Sequence, residues 1–104
     1  MRILLLADIH ANWPALQAIQ EPFDVCLFLG DLVDYGIEPG PCIDWVRQRA
    51  TYAIRGNHDH GVAQNVRVNG KNGYKYLTGV TRVVTQERIT AHDRRYLSSL
   101  PVSK

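Results

Sequence analysis

The stretch that decides the fold is Ile-Leu-Leu-Leu-Ala-Asp-Ile-His at residues 3–10, where an apolar run ends in two polar side chains. The run is continuous rather than alternating, which is typical of a strand buried on both faces of a parallel sheet. Asp8 and His10 follow it directly, and in an extended segment residues two apart point the same way. The stretch therefore predicts a buried strand that delivers a carboxylate and an imidazole to one side.

The same plan recurs twice further along the chain. Val-Cys-Leu-Phe-Leu at residues 25–29 leads into Gly-Asp-Leu-Val-Asp-Tyr-Gly at residues 30–36. Thr-Tyr-Ala-Ile at residues 51–54 is followed, after one arginine, by Gly-Asn-His-Asp at residues 56–59. Each apolar run thus predicts a short strand, and each strand ends in residues that can bind a metal ion.

Helix-like stretches separate the three predicted strands and continue after them. Asn12 precedes one helix start and Pro41 opens another, so the order strand, helix, strand, helix, strand predicts an α/β fold with a parallel-type sheet flanked by helices. Thr90-Ala91-His92-Asp93 has the pattern of a capping box for a later helix. We expect residues 1–60 to form a βαβαβ core that carries the site and residues 61–104 to form a helical segment.

Length and composition restrict the class of protein. A chain of 104 residues has room for one small domain, and 45% hydrophobic with 21% charged residues is typical of a soluble globular protein. No apolar run approaches the roughly 20 residues that span a bilayer, and the N-terminus lacks the plan of a signal peptide. Cys26 and Cys42 both lie in apolar surroundings, which argues against a disulfide framework. We therefore expect a cytoplasmic protein without a membrane partner.

The net charge of +2 conceals an asymmetry between the two halves of the chain. Residues 1–54 hold three basic and seven acidic side chains, whereas residues 55–104 hold nine basic and three acidic ones. A basic half can favour an anionic substrate or a nucleic acid. Its arginines and lysines are spread out, with little aromatic interleaving, so a solvated helical surface is the simpler interpretation and nucleic acid is not indicated.

The polar residues after the three predicted strands are candidate metal ligands. Ligands of open α/β sheets bind outside the carboxyl ends of the strands, where these residues would meet. Taken singly, each cluster also has a structural explanation, such as a turn or an N-cap from Asn57 or Asp59. Their occurrence at three successive strand ends favours one site, and carboxylate, imidazole and amide ligands suit Mn, Fe, Zn or Mg. A nucleotide-binding α/β domain is disfavoured, since no glycine-rich loop follows the first strand.

These three blocks resemble the early motifs of the calcineurin-like metallophosphoesterases, which read D-x-H, G-D-x-x-x-(Y)-G and G-N-H-D/E. The resemblance is greatest to the small bacterial phosphodiesterases of that superfamily. It implies the N-terminal half of a four-layer αββα sandwich. It also implies metal-dependent hydrolysis of phosphomonoesters or phosphodiesters through a hydroxide that bridges two divalent metal ions, manganese among them.

The resemblance also implies a role for each matched residue. Asp8 and His10 would bind the first metal, Asp31 would bridge both metals, and Asn57 would bind the second. His58 would face a phosphate oxygen or the leaving group, and Asp59 would orient His58. Asn12, Asp34, Tyr35 and Arg55 are candidates for contacts to the substrate or to these residues, although Asp34 and Tyr35 also fit plain loop structure. His60 and His92 are expected on the surface.

The family's second half supplies three further histidines, from Gly-His and Gly-His-x-His motifs that this sequence does not contain. We therefore expect a single, incomplete domain that binds at most one metal ion weakly. It would pair with the missing C-terminal half or self-associate, and it would act on a phosphate ester when completed. The alternative is a catalytically incompetent remnant that binds a metal, a phosphate or a protein partner.

Overall fold

The sheet of this protein has three parallel strands in the order β1-β2-β3, in a computed structural model that describes residues 1–103. The strands are β1 (Ile3–Leu6), β2 (Val25–Phe28) and β3 (Tyr52–Ala53). β1 pairs with β2 from Ile3 opposite Val25 to Leu6 opposite Phe28, and β3 joins the other side of β2. The predicted parallel sheet is confirmed, with strands slightly shorter than the apolar runs.

Five helices accompany the sheet within residues 1–103: α1 (Trp13–Gln17), α2 (Pro39–Arg49), α3 (Asn57–Ala63), α4 (Gly73–Arg88) and α5 (Ala91–Ser99). α2 begins two residues before the predicted start, because Pro39 already occupies the first helical position. The predicted capping box of α5 is confirmed by reciprocal hydrogen bonds between Thr90 and Asp93. None of the helices in the described part of the chain has the length and hydropathy that a bilayer crossing requires.

The hydrophobic core lies between one face of the sheet and the helices. Phe28 of β2 packs there with Ile43 of α2, Val62 of α3 and Leu97 of α5, all of them buried. The two cysteines are also buried, and neither forms a disulfide. This packing fixes the carboxyl ends of the strands relative to α3 and so positions the loops that follow them.

The opposite face of the sheet is apolar and uncovered by residues 1–103. Ile3 and Leu5 of β1 are 56% and 61% exposed. Leu29, directly after β2, and Tyr52 of β3 are about half exposed. Burial on both faces, which the continuous apolar runs predicted, is therefore realised on one face only in this chain. A contiguous apolar surface of this kind is the mark of a surface that packs against something else.

The long helix α4 turns its polar side inward. Thr78, Arg82 and Thr85 are buried, whereas Val80 and Val83 are about half exposed. The predicted helix is confirmed, but its apolar side does not supply the core. The reason lies in the loop after β2, where Thr78 is hydrogen-bonded to Tyr35 and Arg82 is hydrogen-bonded to Asp34.

Candidate metal centre and active site

Three of the predicted metal ligands meet where β1 and β2 end. One ligand atom each from Asp8, His10 and Asp31 lies within 4.8 Å of the other two. His10 Nδ1 lies 2.8 Å from the carbonyl oxygen of Val33 and must donate to it, since a carbonyl only accepts. The other ring nitrogen, Nε2, lies 3.7 Å from an oxygen of Asp8. The imidazole is therefore held in the tautomer that leaves Nε2 free to bind a cation.

Asp8 and His10 converge for a reason that differs from the predicted one. β1 ends at Leu6, and the φ angles of Asp8 and His10 are 55° and 49°, so the backbone is left-handed rather than extended. Left-handed backbone at a residue other than glycine destabilises the fold by roughly 1–3 kcal/mol, so other contacts must stabilise it. Asp8 N donates to Gly30 O at 3.0 Å, and His10 N donates to Asp31 O at 3.1 Å. The prediction of an extended segment is wrong, although the two side chains do meet.

Asp31 is held against the first turn of α3. Its Oδ1 accepts a hydrogen bond from His58 N at 3.1 Å. A Cβ on Gly56 would lie only 2.2 Å from the same oxygen, so this close approach requires glycine. Asn57 is exposed and lies between Gly56 and His58, which brings its backbone beside the Asp31 carboxylate. Binding of a second metal by Asn57, and bridging by Asp31, stay predictions.

His58 is fixed by a buried carboxylate from the loop after β2. Its Nδ1 lies 2.8 Å from Asp34 Oδ2, and the His58 side chain is 13% exposed. Asp34 in turn accepts from Arg82 of α4, whose Nε lies 3.0 Å from both carboxylate oxygens and whose Nη2 lies 2.6 Å from Oδ2. Arg82 also donates to the carbonyl of Val66 at 2.7 Å. This chain of contacts runs from α4 through Asp34 to the imidazole and favours a proton on Nδ1.

The prediction that Asp59 orients His58 is wrong. The buried carboxylate of Asp59 accepts hydrogen bonds from the backbone N–H groups of Asp31, Leu32 and Gly56, at 2.8, 2.7 and 3.0 Å. Asp59 therefore fastens the loop after β2 to the start of α3. Burial raises the pKa of the Asp59 carboxyl, and the three backbone donors oppose that rise. Asp34, not Asp59, is the carboxylate hydrogen-bonded to the His58 ring, in the orienting role that the resemblance implied for Asp59.

Tyr35 closes the crevice beside His58 and is held by α4. Its ring centroid lies 4.8 Å from that of His10 and 5.1 Å from that of His58. Its backbone N–H donates to Thr81 Oγ1 at 2.9 Å, and its hydroxyl is hydrogen-bonded to Thr78 Oγ1 at 3.0 Å. Asp34 and Tyr35 both have left-handed backbone, with φ of 68° and 64°. The inward polar side of α4 thus supports a turn that costs energy to form.

The remaining predicted site residues lie at the margin of this group. Asn12 caps α1 by accepting from Ala15 N, and it also lines an open cavity of about 460 Å³ with Asp8 and His10. Arg55 is half-buried after β3, and its backbone N–H donates to the carbonyl oxygen of Pro101 at 2.7 Å. Their contact with a substrate stays a prediction. His60 and His92 are exposed, as expected.

Arg82 is the site residue that the sequence did not reveal. It lies in the stretch taken only as a helical segment, 48 residues after its partner Asp34. One signal was available, because an arginine between Thr78 and Thr85 interrupts any apolar side that could face the core. A buried arginine in such a position needs a carboxylate partner, and the loop after β2 offers one.

Comparison with known proteins places these features in a family. The model of the calcineurin-like phosphoesterases matches residues 1–103. The uncharacterized protein MJ0912 of Methanocaldococcus jannaschii is 30% identical over 108 residues, which cover 96% of this chain and 42% of that protein.

Solved structures agree with this match. The metallophosphoesterase from Sphaerobacter thermophilus shares 33% identity with a TM-score of 0.78, over 97% of this chain and 42% of that one. The hypothetical protein PH1004 from Pyrococcus horikoshii OT3 has a TM-score of 0.72 over 96% of this chain and 48% of its own length. At 23% sequence identity, this similarity shows that the two share a fold. The present chain thus spans less than half the length of these relatives, and its sheet and helices match the N-terminal half of a metallophosphoesterase.

Proposed function

The chain belongs to the calcineurin-like phosphoesterase family, and from that membership we propose that it carries the first half of a dimetal site that hydrolyses phosphate monoesters or diesters. Asp8 and His10 would hold one divalent cation, Asp31 would serve both cations, and Asn57 would hold the second. The proposal covers the activity of the completed site, in a protein that acts on a phosphate-ester substrate.

The observation that carries the proposal is the meeting of Asp8, His10 and Asp31 within 4.8 Å. The donor set fits a divalent cation, since two carboxylates and an imidazole whose Nε2 is unprotonated all offer lone pairs to one place. The same set suits Mn, Fe, Zn or Mg. Bound cations would neutralise charge on the phosphoryl oxygens and lower the pKa of water toward neutrality.

His58 would act on the phosphoryl group or on the leaving oxygen. With Asp34 accepting from Nδ1, the ring can carry a second proton on Nε2 and can give it to a departing alkoxide. Arg82 keeps Asp34 in place, so the ring does not have to be ordered when the substrate binds. Tyr35 packs against both imidazoles and so helps to fix the positions of the two rings.

Hydrolysis of bis-p-nitrophenyl phosphate with added Mn²⁺ tests the proposal. Residues 1–104 alone should show little turnover, because Asp31 and Asn57 are too few ligands to hold a second ion beside the first. Fusing the chain to the complementary half of the Sphaerobacter relative, which shares its fold, should give metal-dependent turnover. That turnover should collapse in Asp31→Asn and fall strongly in His58→Ala. Turnover by the fusion that is indifferent to Asp31→Asn would contradict the proposal.

A second candidate is a remnant that binds metal without catalysis. The described residues hold a single three-ligand group, and the chain spans 42% of two of its relatives. The fusion distinguishes the two candidates. A folded fusion that binds Mn²⁺ through Asp8, His10 and Asp31 yet hydrolyses no phosphate ester would favour the remnant.

A further inference from the structure

A groove leads away from the candidate metal centre between α3 and the start of α4. Its volume is about 380 Å³, which lies within the roughly 300–1,000 Å³ of small-molecule sites. Asn57 and His58 of α3 line it together with Tyr74 and Lys75 of α4. Tyr35 lines both this groove and the crevice of Asp8 and His10, so the two are neighbours.

The walls of the groove are aromatic and apolar. The ring centroid of Tyr35 lies 5.1 Å from that of His58 on one side and 6.4 Å from that of Tyr74 on the other, and the two tyrosine planes meet at 71°. Val66 and Val68 supply further apolar lining. Edge-to-face and offset arrangements are the ones that aromatic rings prefer, so a third ring can pack against this pair without rearranging it.

The charge of the groove suits an anion. Lys75 lines it, and the other formal cation there, Arg82, is engaged by Asp34 and by the carbonyl of Val66. A lysine ammonium group in the lining attracts a negatively charged ester. The acidic ligands Asp8 and Asp31 do not line the groove.

Tyr74 has no evident part in folding. Its side chain is 80% exposed, and it lies outside the hydrophobic core that the sheet and helices share. Tyr76, two residues further along α4, is also largely exposed but does not line the groove. The two tyrosines therefore form a matched pair that differs in position relative to the groove.

We propose that this groove binds the organic part of the substrate and selects phosphate esters whose organic group carries an aromatic ring. Tyr74 and Tyr35 would pack against that ring while the phosphoryl group lies at His58, and Lys75 would attract the anionic ester. This inference rests on the proposed function of the site, since it takes the phosphoryl position from there.

The test compares phenyl phosphate with methyl phosphate, which share a phosphoryl group and differ in the ring. Each is titrated into the chain with Mg²⁺ present, and the affinity is read from the amide resonances of residues 35, 58 and 74. Phenyl phosphate should bind roughly three- to tenfold more tightly, the range expected for one aromatic packing contact. Tyr74→Leu should remove this preference, whereas Tyr76→Leu should keep both the preference and the affinity for methyl phosphate.

The outcomes separate this inference from the function on which it rests. Equal affinity for the two esters, or a preference that survives Tyr74→Leu, would overturn the aromatic selectivity while binding of methyl phosphate still supports a phosphoryl site. If neither ester shifts the resonance of residue 58, the phosphoryl position itself is wrong, and the inference fails with it.

Discussion

Arg82 is the residue on which the arrangement around His58 depends most. Its guanidinium contacts both oxygens of the buried Asp34 carboxylate, so its removal would leave that interior charge without a cation and with His58 as its remaining side-chain partner. Breaking one side of such a pair costs about 3–5 kcal/mol. We therefore expect Arg82→Met to lower the free energy of unfolding by about that amount, measured by urea denaturation.

The control for this prediction is Arg95→Met, on the exposed side of α5, which should change the unfolding free energy by less than about 0.5 kcal/mol. Replacing the partner as well, in the double variant Asp34→Leu with Arg82→Met, should recover part of the loss, because the unpaired charge is then gone. A loss of less than about 1 kcal/mol in Arg82→Met would mean that the pair behaves like an exposed one.

Asp31 is the ligand that should matter most for metal binding. It is one of two carboxylates in the three-ligand group, so Asp31→Ala removes half of the negative charge that would face the ion. We expect calorimetry with Mn²⁺ to show at most one weak site in residues 1–104. Asp31→Ala should weaken that site by about tenfold or more, since even residues that only support metal ligands are worth about 10- to 100-fold.

The matched control is Asp44→Ala, which removes an exposed carboxylate of α2 that pairs with Arg47 instead. It should leave Mn²⁺ binding unchanged. Tight binding of two ions by the wild-type chain, or equal affinity in Asp31→Ala and the wild type, would show that the ligand assignment is wrong.

For individual residues, the sequence predicted which side chains form the site better than it predicted which contacts position them. Asp8, His10 and Asp31 could be predicted because parallel strands end at one edge of a sheet. The roles of Asp34 and Asp59 could not be predicted, because Asp59 is adjacent to His58 in the sequence whereas Asp34 precedes it by 24 residues, and only the fold brings Asp34 to the ring. Asp59 stands at the third position of α3, where a carboxylate caps the helix start, and that local signal was the better guide.

Among the elements, α4 departs most from what its pattern indicated. Tyr74, Leu77 and Val80 fit a helical period, yet Tyr74 is largely exposed and the other two are about half exposed. The buried positions hold Thr78 and Arg82 instead. The periodicity of apolar residues predicts the helix correctly but predicts the wrong inward side. The inward side is instead the polar one, because it forms hydrogen bonds to the loop after β2. In α2 and β2 the apolar residues are the buried ones, as their sequence patterns predicted, because both elements pack in the hydrophobic core.

The packing of α2 on the sheet has a consequence for pH dependence. Burial raises the pKa of the Cys42 thiol to about 12, with Glu38 adding to the rise, and burial also raises the pKa of Cys26. Unfolded thiols ionise near pH 8.5. Above that pH the unfolded chain has lost protons that the folded chain keeps, so the folded state is progressively disfavoured as the pH rises toward the folded pKa.

We therefore expect the free energy of unfolding to fall between pH 8 and pH 9.5, by at most about 1.4 kcal/mol per pH unit for each thiol. Cys42→Ala should reduce this slope, and thiol reagents should label neither cysteine until urea unfolds the chain. An unchanged slope in Cys42→Ala, or rapid labelling of the native protein, would show that Cys42 is not shielded as the structure has it.

Within residues 1–103, helices cover one face of the sheet and leave the other exposed. The covered face contributes to the hydrophobic core, and the exposed face carries Ile3, Leu5, Leu29 and Tyr52. Relatives that this chain matches are more than twice as long, so they contain further structure that such a face could meet. The sequence predicted this exposure only through the resemblance, because an apolar run looks the same whether its second partner is in the chain or not.

The uncovered face should drive association of the isolated chain. Each 100 Å² of apolar surface removed from water is worth about 2.5 kcal/mol, so pairing of two such faces, or of one with a complementary half, is favourable. We expect sedimentation velocity to show concentration-dependent association of residues 1–104. Leu5→Gln, at the centre of β1 and 61% exposed, should shift the distribution toward monomer without loss of helical circular dichroism.

Val83→Gln is the matched control, since Val83 is 58% exposed on the outward side of α4, a second apolar surface of the molecule. If the sheet face drives association, this variant should sediment as the wild type does. If Val83→Gln produces monomers and Leu5→Gln does not, the outward side of α4 is the interface and the sheet face is tolerated in water. A wild-type chain that stays monomeric at every concentration would contradict both assignments, because neither apolar surface would then be sufficient to bring two copies together.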